Sequence, residues 1–256
     1  MLNESDTRAK LIDPKLHRSG WQEKRILREI DITQGQIYLV GEEPKRREKR
    51  RPDYILLYKP SFPIAVVEAK DESHSPLAGL QRAKKYAKVL DVQFAYSTNG
   101  YGIEEFDFTT NQQTALSQFP SPDELWRRYW VSKSPSGLKK AAEAKDLFGN
   151  PLLYPYYLEP GGKTPRYYQD VAIKRVIEAV LNHKKRILLT MATGTGKTYV
   201  AFQVVWKLVK SKYLHRVLYI ADRNFLRDQA HNNEFYPFGD ARTYIGSSRG
   251  DFTVTL

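Results

Sequence analysis

A chain of 256 residues, 41% of them hydrophobic, is long enough for two domains with real cores and too apolar to be disordered. It has no cysteine, which excludes a disulfide framework, and 41 Lys and Arg against 29 Asp and Glu leave a net charge of +12. That excess favours a polyanionic partner, most commonly nucleic acid. No apolar run approaches the roughly 18 residues of a membrane span and MLNESDTRAK lacks a signal-peptide pattern, so the expectation is a cytoplasmic protein.

Residues 4–17 have helical periodicity through Leu11, Ile12 and Leu16, and Pro14 is expected to break or end that helix. GWQEKRILREIDI passes into a strand near Ile26 to Ile32, and GQIYLVGEE reads as the next strand. The run KRREKRR, Lys45 to Arg51, is too polar to be buried; it either grips phosphates or forms a solvated hairpin tip. RPDYILLYKPSFPIAVVEAK then gives two apolar strands, Tyr54 to Tyr58 and Ile64 to Val67, around a Pro-rich turn. Leu77, Leu80, Ala83, Ala87 and Leu90 predict a helix over Pro76 to Leu90, and VQFAYSTNG a strand closing on the Asn99-Gly100 turn. This order predicts a small mixed α/β sheet.

DELWRRYW places Trp126, Tyr129 and Trp130 on one helix face, either to pack on the core or to stack bases. Residues 131–165 read as a connector, with a short helix at Leu138 to Leu147. An amphipathic helix, YYQDVAIKRVIEAVLNH, follows. RILLTMATGTGKTYVAFQVVWKLVK and RVLYIADRNFLRDQA then alternate strand and helix as a parallel α/β sheet does. The domain reading is therefore 1–130, a connector 131–165, and 166–256.

Two stretches carry chemistry. MATGTGKT, residues 191–198, lies between an apolar run and a helix start; its glycines let backbone N–H groups close around phosphates. Lys197 can reach the β and γ phosphates and the Thr198 hydroxyl can hold Mg2+. Met191 stands where the usual pattern has its first glycine. The second stretch is Pro52-Asp53 followed by Glu68-Ala69-Lys70. Phosphodiester hydrolysis needs a cation, carboxylates are hard ligands suited to Mg2+, and a lysine can stabilise developing negative charge. Glu68 and Lys70 share a strand face, and Asp53 opens the neighbouring strand.

PRYYQ…AI, MATGTGKT and VLYIADRNFLRDQ resemble the adenine-contacting segment, motif I and motif Ia of superfamily 2 helicases. More narrowly, they resemble the motor (HsdR-type) subunit of type I restriction enzymes. ESDTRAKLIDPKL…GW and RPDYILLYKPSFPIAVVEAKD resemble the N-terminal nuclease domain of those same subunits. The resemblance implies a PD-(D/E)xK nuclease-like mixed α/β sheet followed by an incomplete RecA-like parallel α/β lobe. It assigns Arg166 and Gln169 to adenine, and Thr193, Gly194, Thr195, Gly196, Lys197 and Thr198 to phosphates and Mg2+. It turns Asp222 and Arg223 toward DNA. Asp53, Glu68 and Lys70 become catalytic, the two acids holding the nuclease Mg2+, with a helper acid that is Glu4 or its competitor Glu29. In the family's Q-x-x-x-Y signature the place of Gln falls on Arg82, Gln81 being five positions before Tyr86, so the role of Gln81 and Tyr86 is open.

The function so implied is ATP-dependent translocation and metal-dependent cleavage of double-stranded DNA, alongside specificity and modification (methyltransferase) subunits. No D-E-x-H motif follows residue 230. The expectation is thus the N-terminal part of a longer subunit, binding ATP weakly and not hydrolysing it. The rival readings are a stand-alone helicase–nuclease and a DNA-binding module with an inactive nuclease fold.

Overall fold

Helix α1 runs past its proline. Glu4–Thr7, a π turn at Arg8–Ile12 and Asp13–Arg18 follow one another without a break. Against the expectation from Pro14, the wider turn just ahead of it, closed by Asp13 N–H on the Arg8 carbonyl, gives the ring room that an α turn would deny. The computed structural model describes residues 2–32, 50–133, 149–159, 162 and 164–244, with the backbone of 37–40 and 43–46. The chain divides into two compact units, Met1–Lys145 and Asp146–Leu256.

The first unit is a six-stranded sheet in the order β1-β4-β5-β6-β7-β8. Its strands are β1 Ile26–Arg28, β4 Tyr54–Lys59, β5 Phe62–Ala69, β6 Phe94–Thr98, β7 Ile103–Asp107 and β8 Gln112–Leu116. Only β5 and β6 run parallel, because helix α2 (Leu80–Leu90) crosses between them; the other pairs are antiparallel. β2 Ile37–Val40 and β3 Glu43–Arg46 form a separate two-stranded ladder, so Lys45 and Arg46 lie in a strand rather than at a tip. β1 is shorter than expected and stops at Glu29, whose φ of 52° turns the backbone out of the strand.

Alternation along β4 and β5 sorts their side chains between two layers. Ile55, Leu57 and Val66 pack beneath α2 with Leu80, Ala83, Ala87 and Leu90. Tyr58 and Phe62 instead meet helix α3 (Pro122–Lys133): Trp126 stacks on Tyr58 at 4.4 Å between ring centroids and takes Phe62 edge-on at 5.3 Å. Trp126, Tyr129 and Trp130 are all buried, so this helix packs on the core and does not offer its rings to bases.

Strands β7 and β8 were not among the sequence expectations, since IEEFD puts acids where a buried strand should be apolar. The reason is Arg128 of α3. It donates to Glu105 Oε1 at 2.7 Å and Glu105 Oε2 at 3.0 Å, and to Asp107 Oδ2 at 2.6 Å, while the Tyr96 hydroxyl donates to Glu105 at 2.6 Å. This pair of carboxylates is fully partnered and ties α3 to the sheet.

In the second unit, α4 (Tyr167–Leu181), α5 (Lys197–Lys210) and the short α6 (Asn224–Gln229) are helical as expected. The expected strands at 186–190 and 217–221 run without a ladder partner among the described residues, with Leu188 92% and Ile220 79% exposed. Part of the expected connector is an ordered strap on α5. Gln203 bonds both backbone groups of Tyr157, at 3.1 and 2.8 Å, and the buried Lys207 ammonium donates to the carbonyls of Leu152 and Tyr154. Burial pushes Lys207 down to about 7. The helix expected at Leu138 to Leu147 lies outside the described residues.

Trp126→Ala is expected to destabilise the first unit by about 3–5 kcal/mol, measured by urea unfolding, because it removes the ring that fills the space between Tyr58, Phe62 and Trp130.

Candidate active site

The β4–β5 register brings the acids of the first unit together. Tyr54 pairs with Val67, so one step further Asp53 comes opposite Glu68. Asp53 shares the face of Ile55 and Leu57, and Glu68 and Lys70 share that of Val66; all three therefore point to the α2 side of the sheet. The Ala69 N–H donates to Asp53 Oδ2 at 2.7 Å, and the Lys70 N–H extends the parallel ladder to the Thr98 carbonyl at 2.8 Å. Gly79, just before α2, allows the close approach. A Cβ there would stand 2.7 Å from Ser97 Oγ and 3.0 Å from Glu68 Cβ.

Glu68 is 1% exposed, and neither of its oxygens accepts a well-formed hydrogen bond. Burial first, then the neighbouring Asp53 charge, push its carboxyl up to about 7; Arg82, Lys70 and the Asp53 backbone act the other way. Burial likewise raises Asp53, opposed by the Ala69 N–H, Arg8 and Lys70. Burial makes both acids resist ionisation side by side, and such a pair is a candidate functional site.

Three cations surround them. Lys70 Nζ lies 3.4 Å from Glu4 Oε2, Arg82 Nε 3.5 Å from Glu68 Oε2, and Arg8 Nη1 3.1 Å from Asp53 Oδ1. Between the two helper acids, Glu4 is the one that faces the site: it contacts Lys70 and adds to the raising of Asp53. Glu29 is held instead by Arg8 at 3.0 Å and Arg51 at 3.0 Å. Gln81 is exposed, and Arg82, one position on, is the α2 residue that reaches Glu68. Tyr86 is buried, and its hydroxyl accepts from Arg82 Nε at 2.8 Å.

Sequence reasoning missed Arg8 and Gly79, and met Arg82 only as the occupant of the Gln place in Q-x-x-x-Y. Arg8 was within reach of it, because Glu4 and Arg8 stand four apart on one helix face. The role of Gly79 had no sequence signal; it depends on how α2 enters the sheet.

The glycine loop of the second unit carries Gly194 and Gly196 at φ 78° and 83°. Gly196 precedes α5, and a Cβ there would lie 2.5 Å from Gln169 Nε2. Gln169 spans two elements: its amide donates to the Thr195 carbonyl at 3.0 Å and its oxygen accepts from the Arg166 N–H at 2.9 Å. Lys197 Nζ folds back to the carbonyls of Ala192 and Met191, at 3.3 and 3.4 Å. Thr193 is exposed, Thr198 is half-buried beside Tyr219, and the Arg166 guanidinium donates to the Tyr168 hydroxyl at 3.1 Å. Asp222 and Arg223, 3.8 Å apart, are both exposed.

Along the chain, a mixed α/β sheet carrying an acid pair with a lysine precedes a glycine loop at a helix start. Residues 162–253 match the family model described as "Type III restriction enzyme, res subunit". The chain is 41% identical over 251 residues to the type I restriction enzyme EcoAI endonuclease subunit of Escherichia coli, covering 95% of this chain and 30% of that one. With the EcoKI endonuclease subunit of Escherichia coli strain K12 it shares 27% identity over 287 residues, covering 90% of this chain and 23% of the other. A solved fragment ascribed to an HsdR subunit of a type I restriction enzyme from Vibrio vulnificus YJ016 has the same fold. It superposes with a TM-score of 0.74 at 41% identity, over 94% of this chain and 44% of that chain. The chain thus resembles type I endonuclease subunits along nearly its whole length and spans less than a third of the two curated relatives.

The raised Glu68 has a consequence for stability. Its folded pKa, about 7, exceeds its ordinary 4.5, so the folded state holds the proton more tightly. The stability it contributes is complete below pH 4.5 and is lost as pH rises through about 7. In a chelator, Glu68→Gln is expected to flatten the fall in stability across that window and to exceed the wild type by about 1–3 kcal/mol at pH 8, read from urea midpoints.

Proposed function

We propose that the chain is the nuclease-bearing part of a type I restriction endonuclease subunit, cutting double-stranded DNA with a divalent cation and carrying an ATP-binding loop. The observation that carries the reading is the convergence of Asp53, Glu68 and Lys70 where β4 begins and β5 ends, with both Glu68 oxygens buried and short of partners. The donor set fits Mg2+. Carboxylate oxygens are hard ligands, and two adjacent acids with raised pKa values gain what they lack from a cation. Among the described residues no three His, Cys, Asp or Glu side chains form a ready-made cluster, so the protein offers Asp53 and Glu68 as its two ligands.

When bound, Mg2+ supplies Lewis acidity toward a phosphate and a water of lowered pKa. The chain's own residues do the rest. The Ala69 N–H fixes the orientation of Asp53. Lys70, on the same strand face as Glu68, meets the negative charge that grows on the phosphoryl oxygens. Glu4 holds the Lys70 ammonium just beyond the end of β5, at 3.4 Å.

In the second unit, Gly194 has open space where a side chain would stand, and the α5 N-terminus points its free N–H groups at the loop. Gln169 sets the loop's position through Thr195. Likeness to the endonuclease subunits supports, as further parts of this proposal, ATP-driven DNA translocation by the whole subunit and partnership with specificity and methyltransferase subunits. One observation favours a second reading, a DNA-binding module that does not cut: Arg8 already occupies Asp53 Oδ1.

Supercoiled plasmid separates the two. The chain is expected to nick it in Mg2+ or Mn2+ and not in a chelator, and Asp53→Ala, Glu68→Ala and Lys70→Ala each to reduce the rate about 100-fold or more. A folded wild type that nicks in neither metal establishes the second reading. For the loop, Lys197→Ala is expected to weaken binding of a fluorescent ATP analogue about tenfold or more, followed by anisotropy.

A further inference from the structure

Among the described residues, three carboxylates at the candidate nuclease site, Glu4, Asp53 and Glu68, face three cations, Lys70, Arg8 and Arg82. A dication entering such a site displaces a resident cation or a proton, or arrives with an anion. Two of the residents stand on the two proposed ligands: Arg8 on Asp53 Oδ1 and Arg82 beside Glu68 Oε2.

Each of these guanidiniums has a second partner that lets it leave without being stranded. Arg8 donates from the same Nη1 to Glu29 Oε1 at 3.0 Å, and Glu29 is anchored from the other side by Arg51, which also donates from Nε to the Glu29 carbonyl at 2.6 Å. Arg82 donates to the Tyr86 hydroxyl at 2.8 Å, lies over that ring, and is 59% exposed. Glu68, by contrast, has no alternative. Its carboxylate is buried, and a guanidinium 3.5 Å away is the nearest side-chain compensation.

Resting on the nuclease reading, we infer that Arg8 and Arg82 are stand-in counter-ions of the acid pair, and that they make uptake of a divalent cation conditional on nucleic-acid phosphates. Without DNA the guanidiniums neutralise the acids and keep the cation's affinity low. A phosphodiester backbone at this end of β4 and β5 supplies the negative charge that draws Arg82 outward and leaves Glu68 to the cation. Arg8 retains Glu29 when Asp53 Oδ1 is taken. Both are positioning residues for the metal, and Arg82 is also a phosphate contact.

The two ligands then respond with opposite sign, which a structural defect would not produce. The test uses the 256-residue chain with Ca2+ as the probe, titrated calorimetrically with and without a short DNA duplex. In the wild type the duplex is expected to tighten Ca2+ binding about tenfold or more. Arg82→Met is expected to tighten Ca2+ about tenfold in the absence of DNA, to weaken duplex binding in Ca2+, and to lower the salt slope of that binding by about one. Arg8→Met tightens Ca2+ without DNA in the same way, and Arg82→Lys, which keeps the charge, restores the weak Ca2+ binding and the salt slope.

Ca2+ binding without DNA that is unchanged in Arg82→Met overturns the inference, as does a joint loss of affinity for Ca2+ and duplex in that exposed variant. Either result leaves the nuclease reading standing. A wild type that takes up no Ca2+ with or without duplex removes the metal site, and with it both the nuclease reading and this inference.

Discussion

The register between β4 and β5 is the constraint from which the rest of the first unit follows. A strand's side chains alternate between faces, so a slip of one residue would send Asp53 and Glu68 to opposite sides of the sheet and break the pairing with Lys70. Hydrophobic burial fixes the register. Ile55, Leu57 and Val66 must lie beneath α2 while Tyr58 meets Trp126 on the other side, and any other alignment exposes one of these sets. The core therefore sets the position of the charges, which on their own would repel one another out of it.

This explains which parts of the site were legible from sequence. Asp53, Glu68 and Lys70 stand in apolar strands whose period is plain, and a turn of known composition joins them, so their meeting follows from local rules. Arg82 was recognised only as an irregularity in an expected Q-x-x-x-Y pattern. The structure makes it the member of that helix that faces Glu68, with Tyr86 four residues on as its support. The choice between Glu4 and Glu29 could not be made from sequence, because it depends on the left-handed backbone at Glu29, which delivers that side chain to Arg8 and Arg51.

Strand composition and strand pairing came apart elsewhere. β7 carries Glu105 and Asp107, which read as surface residues until Arg128 is brought in from a helix distant in sequence. The runs at 186–190 and 217–221 have the opposite character: strongly apolar, yet without a ladder among the described residues. Composition reports what a segment could bury; pairing depends on which neighbour arrives. Local signals sufficed for the glycine loop itself, since the αL conformation of Gly194 and Gly196 belongs to the residue type. The contact of Gln169 with Thr195 did not follow from them, because it joins two helix starts that are separated by a full helix and an extended segment.

The distribution of charge bears on how a nucleic acid would be met. The chain carries a net +12, yet among the described residues the candidate site matches three acids with three cations. A field of that sign draws a polyanion to the surface at long range, weakening with salt. It does not load the acid pair with a metal. On the proposed reading, a locally balanced site within a basic protein would separate two tasks, attraction by the surface and cation uptake by the acids, with the second waiting on the phosphates that unbalance the site.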